Sequence, residues 1–183
     1  MTKVFIGGSR RVSRLNADVR RRIDRIIEKR LPVLVGDANG ADKAVQRFLH
    51  DKGYDRVEVF CAGEECRNNV GGWPVRKVPG NGRNRDFAFY ATKDRAMAGE
   101  ASVGLMIWDG RSVGTVLNVH RLVCQHKKAV VYTVPAETFT ELNDEADWPA
   151  FIASCPADVR RRIERETSNE EQAARPARQP TLL

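Results

Sequence analysis

The residues best suited to bind a ligand follow an apolar segment, residues 103–107, that reads VGLMI. The next stretch, residues 108–115, reads WDGRSVGT and combines a carboxylate, hydroxyl groups and glycines. A buried strand followed by a small polar loop and a helix start is how α/β proteins build phosphate and ribose sites, because N–H groups at a helix N-terminus bind anions. The candidate ligand contacts are Asp109, Gly110, Ser112, Gly114 and Thr115. Helix capping alone would explain Ser112 but not the whole set.

A second loop of this kind, Gly7-Gly8-Ser9-Arg10, follows the apolar residues 4–6. Its glycines let the backbone approach a ligand closely, and its serine adds a hydroxyl group. Its arginine can bind a phosphate through two parallel hydrogen bonds. The alternative is a tight strand-to-helix turn with an arginine at the surface. The loop is not G-x-G-x-x-G, so a dinucleotide-binding fold is not supported.

A third loop, residues 36–42, reads GDANGAD and starts at Gly36. Asp37 could accept hydrogen bonds from ribose hydroxyls, while Asp42 caps the helix that follows. The alternative is that both carboxylates are caps. Three polar loops at successive strand ends predict one shared ligand pocket.

Two further polar pairs are candidate ligand contacts. Arg67 and Asn68 lie in a long irregular segment, residues 62–82, which is rich in glycine and proline. Long loops in compact domains are often functional, although polar loop residues are usually just solvated. Lys93 and Asp94 fall within a segment of helical period, where a salt-bridged surface is the alternative.

Short apolar runs alternate with segments of helical period over most of the chain. The runs predict strands near residues 3–6, 33–36, 57–60, 103–107 and 129–133. The helical segments begin after Asn16, at Ala41, at about Asn84 and at Val113. This alternation predicts an α/β fold, a single Rossmann-like domain with a mostly parallel sheet of five or more strands and helices on both faces.

The predicted organisation weakens beyond Pro135. Residues 1–134 form the predicted nucleotide-binding domain, and residues 135–167 a helical C-terminal appendage. Residues 168–183 are polar, carry two prolines and have few core-forming side chains, so they are expected to be a disordered tail.

The composition is typical of a globular protein without membrane segments. Apolar residues make up 42% and charged residues 30% of the chain. The net charge of +7 makes nucleic acid a partner to consider, but acidic residues interrupt the basic helix faces. A cytoplasmic location is expected, since the N-terminus has no signal-peptide pattern. The four cysteines have no C-x-x-C spacing, so free thiols and no metal site are expected.

Taken together, the loops resemble the SMF/DprA–LOG superfamily, called SLOG, and within it the YspA-like branch. The resemblance covers about residues 3–134 and is collinear. The matching motifs are GGSR at 7–10, GDANGAD at 36–42, Arg67-Asn68-Asn69 followed by Trp73, Lys93-Asp94 with Met97, and WDGRSVGT at 108–115. It implies a Rossmann-like sheet that binds nucleotides or nucleotide-derived ligands at the C-terminal ends of its strands. The implied ligand contacts are Gly8, Ser9, Arg10, Gly36, Asp37, Asp42, Asp109, Ser112, Gly114 and Thr115.

Some SLOG relatives are enzymes that cleave the base from a nucleoside 5′-monophosphate. Those phosphoribohydrolases and N-glycosidases carry a Glu on the helix after the glycine-rich loop, where this chain has Asn118. An amide can hydrogen-bond a ribose but cannot act as a carboxylate nucleophile or base. We therefore expect a ligand-binding module, for example a sensor, that needs no cofactor.

The alternatives are a nucleotide N-glycosidase that uses Asp37, Asp42 or Asp109, and DprA-like nucleic-acid binding, which is not favoured. Relatives commonly pair through helices beside the pocket. A homodimer is therefore expected through the helix at 84–99, which offers Phe87, Phe89, Tyr90 and Met97. Burial of these residues under the 62–82 loop is the alternative.

Overall fold

The central element is a seven-stranded sheet with the strand order β4-β3-β2-β1-β5-β6-β7. The computed structural model describes residues 1–80 and 87–174, with side chains up to Thr167. Strands β1 to β6 pair in parallel, and β7 pairs antiparallel to β6. The strands are β1 (Val4–Gly8), β2 (Val33–Gly36), β3 (Val57–Ala62), β4 (Val75–Val78), β5 (Val103–Trp108), β6 (Lys128–Thr133) and β7 (Thr138–Leu142).

Helices cover both faces of this sheet. Those of the described residues are α1 (Ala17–Glu28), α2 (Ala41–Asp51), α3 (Phe87–Glu100), α4 (Val113–Val123), α5 (Trp148–Ser154) and α6 (Ala157–Ala174). Buried side chains of α1 and α2 pack on one face, and those of α3 to α6 pack on the other. Strand β1 contributes to both cores, because successive side chains alternate: Val4 and Ile6 face α1 and α2, and Phe5 faces α3 and α4.

The predicted fold class is confirmed: the chain is an α/β domain with a mostly parallel sheet and helices on both faces. All five predicted strands are present. Strand β4, within the predicted irregular segment, was missed because it is short, carries two charged residues in the sequence VRKV, and is largely exposed at the sheet edge. Strand β7, within the predicted helical appendage, was missed because it is a short antiparallel edge strand whose buried residue is Leu142.

The C-terminal region differs from the prediction in a second way. Helix α6 continues to Ala174, into the segment predicted as a disordered tail. Residues 170–174 read EEQAA, which are good helix formers. The predicted helix start at Asn84 and the tail residues 175–183 lie outside the described residues. Within residues 1–80 and 87–174, no helix is long and apolar enough to cross a membrane.

Candidate functional site

A cavity of about 600 Å³ lies at the carboxyl ends of β1 and β5. The strand order reverses between these two strands, since β2 to β4 lie on one side of β1 and β5 to β7 lie on the other. In open α/β sheets, ligands bind in the crevice at this switch point. Predicted site residues that line the cavity are Gly7, Gly8, Arg10, Asp42, Lys93, Asp94, Asp109, Ser112, Gly114, Thr115 and Asn118.

The remaining predicted site residues do not line the cavity but lie behind it or in adjacent turns. They are Ser9, Gly36, Asp37, Arg67, Asn68 and Gly110. Most of them hold the loops together, as their hydrogen bonds show.

Ser9 links the loop that follows β1 to the β5–α4 loop. Its side chain is completely buried, and its Oγ donates to Asp109 Oδ1 at 3.1 Å and lies 3.1 Å from Thr115 Oγ1. Asp109 Oδ1 also accepts from the backbone N–H groups of Arg111 and Ser112. The Asp109 carboxylate therefore shapes the turn, and Ser9 positions it without reaching a ligand.

The second and third loops are also joined through the backbone. The N–H of Ala41 donates to the Ser9 carbonyl at 3.1 Å. Gly40 has a φ of +86°, and a Cβ there would lie 2.2 Å from the Arg10 carbonyl oxygen. This close approach requires glycine, and it fixes where Arg10 leaves the backbone.

Asp37 is occupied by Arg67, so the prediction that it accepts from ribose hydroxyls is wrong. Both Arg67 side-chain contacts are short, with Nη2 2.6 Å from Oδ1 and Nε 3.0 Å from Oδ2, and the Arg67 backbone N–H adds a third bond. Burial alone would raise the pKa of Asp37, but these bonds and the guanidinium charge outweigh it and lower that pKa. Asn68 donates to the Asp37 carbonyl, which holds the long loop against β2.

Asp42 does not cap helix α2, which is the other correction in this loop. The N-cap residue is Gly40 and forms no side-chain capping bond. Instead, Asp42 Oδ2 accepts from the Ala38 N–H at 3.2 Å and faces Lys93 Nζ at 3.9 Å. Its carboxylate lines the cavity, so Asp42 stays a candidate ligand contact.

Lys93 and Asp94 form the centre of a buried polar cluster on the cavity floor. Lys93 Nζ lies 2.6 Å from Asp94 Oδ1, and its side chain is only 4% exposed. Asp94 Oδ2 accepts from Asn118 Nδ2 at 3.4 Å. Arg121 Nη1 donates in turn to Asn118 Oδ1 at 2.5 Å. The cluster links α3 to α4.

Glycine at position 36 makes space for this cluster. A Cβ on Gly36 would lie 2.3 Å from Asp42 Oδ2 and 2.6 Å from Lys93 Nζ. Any larger residue would push the carboxylate and the ammonium group out of place. Gly36 is therefore a structural part of the floor rather than a ligand contact.

The environments of these carboxyl groups push their pKa values apart. Burial raises the pKa of Asp42 to about 6, although Lys93 opposes the shift. For Asp94, burial acts in the same direction, but Lys93 and Arg121 outweigh it and lower the pKa. Burial alone would lower the pKa of Lys93, and the charges of Asp94 and Asp42 raise it instead. The ammonium group therefore stays protonated near neutral pH.

The mouth of the cavity carries a rim of exposed arginines: Arg10, Arg11, Arg111 and Arg162. Among the residues that the structure describes, none of the four guanidinium groups is in an ion pair. The Arg10 guanidinium lies over the Tyr90 ring at 5.2 Å, and Arg67 lies over the same ring at 4.2 Å. Tyr90 thus orients one rim arginine.

Three rim arginines were missed from the sequence. Arg11 and Arg111 are adjacent to predicted contacts, so the loop motifs themselves were the available signal. Arg162 lies on α6, and no local pattern connects that helix with the loops of the sheet. Asp158, on the same helix, also lines the cavity.

Helix α4 presents an uncapped N-terminus to the cavity. Ser112 is its N-cap residue, as predicted, but its side chain makes no capping hydrogen bond. Its Oγ accepts instead from Thr115 Oγ1 at 3.1 Å. Among the described residues, no side chain accepts from the first-turn N–H groups, and Gly114 in that turn lines the cavity.

The prediction of four free thiols is wrong for two cysteines. Cys61, at the end of β3, and Cys66 form a disulfide, whereas Cys124 and Cys155 take part in no disulfide. Sequence spacing cannot identify a bond between a strand end and the loop beside it. The Asp37 carboxylate lies within 4.8 Å of both sulfurs, a grouping that could hold a metal ion. The sulfurs are bonded to each other and Arg67 holds the carboxylate, so the group offers a metal no free thiolate.

The aromatic residues of α3 lie against the cavity or the 62–82 segment. Met97 is buried in the core, whereas Phe87 and Tyr90 line the cavity. Phe89 lies so near Gly63 and Gly80 that a Cβ on either glycine would touch its ring. The contacts of Phe89 agree with burial against the 62–82 loop, whereas Phe87 is 49% exposed, and the homodimer stays a prediction.

Comparisons with protein-family models, curated proteins and solved structures find no match to this chain. The function of the cavity therefore has to be inferred from the residues that line it.

Proposed function

We propose that this chain binds a nucleotide or a nucleotide-derived ligand in the cavity between β1 and β5, as a binding module of the SLOG type. The observation that carries the proposal is the presence, in one cavity, of exposed unpaired arginines and an uncapped helix N-terminus. The cavity lies at the switch point of a Rossmann-like sheet, where ligands of such sheets bind.

The size and charge of the cavity suit a nucleotide. Small-molecule sites span about 300–1,000 Å³, and this cavity holds about 600 Å³. Guanidinium groups bind phosphate through paired, charge-assisted hydrogen bonds, and helix N-terminal N–H groups add to that binding. The rim arginines and the first turn of α4 are therefore the expected phosphate contacts.

Hydrolysis of the N-glycosidic bond is a second candidate function. The observation that favours it is the pair Asp42 and Asp94, two cavity carboxyls whose pKa values are shifted in opposite directions. Such pairs often divide the roles of acid and base. Binding without hydrolysis remains our proposal, because Asn118 offers an amide at the position where the enzymes of the SLOG superfamily carry a carboxylate.

Isothermal titration calorimetry of the full chain with AMP, ADP and ATP tests the proposal. Arg162→Ala should weaken binding of the best of these ligands about 10- to 100-fold, the effect of losing one charge-assisted hydrogen bond. Arg161→Ala is the matched control, because Arg161 is exposed on the same helix but does not line the cavity. Absence of binding, or equal losses in both variants, would contradict the proposal.

A further inference from the structure

The charges that line the cavity are separated between its mouth and its floor. Four arginines surround the mouth. On the floor, the carboxylates of Asp42 and Asp94 flank the single ammonium group of Lys93. With both carboxylates ionised, the side chains that line the floor carry a net negative charge, which the Arg121 guanidinium behind Asn118 partly offsets at Asp94. A ligand that carries a phosphate at one end and neutral hydrogen-bond donors at the other would match both regions.

We propose that Asp42 and Asp94 bind hydroxyl groups of the ligand's sugar, so that the ligand enters with its sugar on the floor and its phosphate at the arginine rim. This inference rests on the proposed function and specifies the orientation of its ligand. The ligand class is then a sugar phosphate with free hydroxyl groups, of which a ribonucleotide is one form.

The floor disfavours phosphate. An anion placed beside these carboxylates is repelled, most strongly by Asp42, which is buried where the effective dielectric constant is far below that of water. Lys93 cannot compensate fully, since its ammonium group is already 2.6 Å from Asp94 Oδ1 and 3.9 Å from Asp42 Oδ2. Hydroxyl groups donate to carboxylates without this repulsion, and such hydrogen bonds are among the stronger ones.

Asp42 has an oxygen left for a ligand. Its Oδ2 accepts from the Ala38 N–H and faces Lys93. Its Oδ1 has no hydrogen-bond partner among residues 1–80 and 87–167. Since every fully buried side-chain oxygen in those ranges has a partner, Oδ1 is not fully buried. This oxygen points toward Gly7, where an added Cβ would lie 3.7 Å from it. Asp42 therefore offers an acceptor to the cavity.

The backbone around the floor keeps this acceptor in place. The absence of a side chain at Gly36 leaves the space that Asp42 Oδ2 and Lys93 Nζ fill. On the other side, Asn118 donates to Asp94 Oδ2 and is itself held by Arg121. The carboxylates are thus positioned before any ligand arrives, which lowers the cost of ordering them on binding.

Calorimetry with the full chain and small probes separates the contributions of the two ends. The probes are inorganic phosphate, glycerol 3-phosphate, 2-deoxyribose 5-phosphate and ribose 5-phosphate. We expect ribose 5-phosphate to bind about 10- to 100-fold more tightly than phosphate, with the other two probes in between. This series uses the unaltered protein, so it does not depend on the folding of a variant.

A variant then tests whether the floor causes the tighter binding of ribose 5-phosphate relative to phosphate. Asp42→Asn should remove most of the gain between phosphate and ribose 5-phosphate while leaving phosphate binding as tight or tighter. Asp51→Asn is the matched control, because it makes the same change at an exposed position of the same helix, outside the cavity. It should leave the gain intact.

The outcomes distinguish the two proposals. If neither phosphate nor any nucleotide binds, the proposed function fails. If nucleotides bind but ribose 5-phosphate binds no more tightly than phosphate, or its gain survives in Asp42→Asn, the inference about the floor is overturned alone. A gain of the same size with 2-aminoethyl phosphate would also overturn it, because the floor would then recognise positive charge rather than hydroxyl groups.

Discussion

Removing Arg67 tests whether the Asp37–Arg67 pair is structural, as its contacts indicate, rather than part of the ligand site. In Arg67→Ala, the Asp37 carboxylate, which is 1% exposed, loses both side-chain hydrogen bonds and its counter-charge. Breaking a buried ion pair on one side costs about 3–5 kcal/mol. Arg67 is 29% exposed, so water reaches its side of the pair, and we expect a loss near the lower end, about 3 kcal/mol.

Urea unfolding followed by tryptophan fluorescence measures this loss. With a slope of about 1–3 kcal/mol per molar for small proteins, the midpoint should fall by about 1–3 M. Arg76→Ala is the control, since Arg76 forms surface ion pairs with Glu58 and Glu100 and is 47% exposed. Such pairs contribute about 0–1 kcal/mol. A loss in Arg67→Ala no larger than that of the control would refute the reasoning.

The pH dependence gives a second check on the same pair. Arg67 lowers the pKa of Asp37 in the folded protein, so its stabilisation is fully present above the ordinary carboxyl pKa and is lost as the pH falls through the lowered value. In Arg67→Ala, burial acts unopposed by that guanidinium and raises the pKa of Asp37. The stability difference between the two proteins should therefore shrink as the pH is lowered. The double variant with Asp37→Asn should recover part of the loss at neutral pH.

Four further expectations concern the ligand, the reaction, the assembly and the C-terminus. Arg10→Ala should weaken binding of the best nucleotide about 10- to 100-fold by calorimetry, because one charge-assisted phosphate contact is lost, and an unchanged affinity would contradict that role. AMP and dAMP should release little or no free base in a chromatographic assay, since Asn118 supplies no carboxylate; rapid release would contradict this. Light scattering at tens of micromolar should give the mass of two chains, and the mass of one chain would exclude the dimer. Truncation after Thr167 should leave the Tm nearly unchanged, because the buried α6 residues Val159 and Ile163 precede the cut, whereas a fall of many degrees would mean that the deleted residues pack on the domain.

The sequence was most informative where one physical constraint decided the structure. The central strands are buried on both faces, so each appears as an unbroken apolar run, and the helices between them carry one apolar face. Edge strands lack this constraint. Strand β4 is a short, largely exposed edge strand, so the sequence VRKV at 75–78 shows neither an apolar run nor strict alternation. Strand β7 pairs only with β6 and buries little more than Leu142.

The structure brings eleven of the predicted site residues to one cavity, and the other six lie behind it or in adjacent turns. The carboxyl ends of parallel strands meet at one edge, so the loops after β1 and β5 could be placed together from the sequence alone. Which side chains face the cavity depended on partners distant in the chain. Asp37, which follows β2, is bonded to Arg67 in the loop after β3. Arg162 lines the cavity because α6 packs beside α4. Local patterns contain no information about such pairings.

The polar residues of the three loops divide according to whether a partner already occupies them. Asp37 was a predicted ligand contact, but the Arg67 side chain and backbone N–H occupy both of its oxygens, whereas the hydrogen bonds from described residues to the Asp109 carboxylate all end on Oδ1. Asp42 Oδ1 and the rim guanidinium groups, such as that of Arg10, keep hydrogen-bonding capacity that no described residue uses. Substitutions in the first group should therefore change mainly the free energy of unfolding, and those in the second mainly ligand affinity. Resemblance between motifs cannot separate these groups, because both contain the same residue types in the same loops.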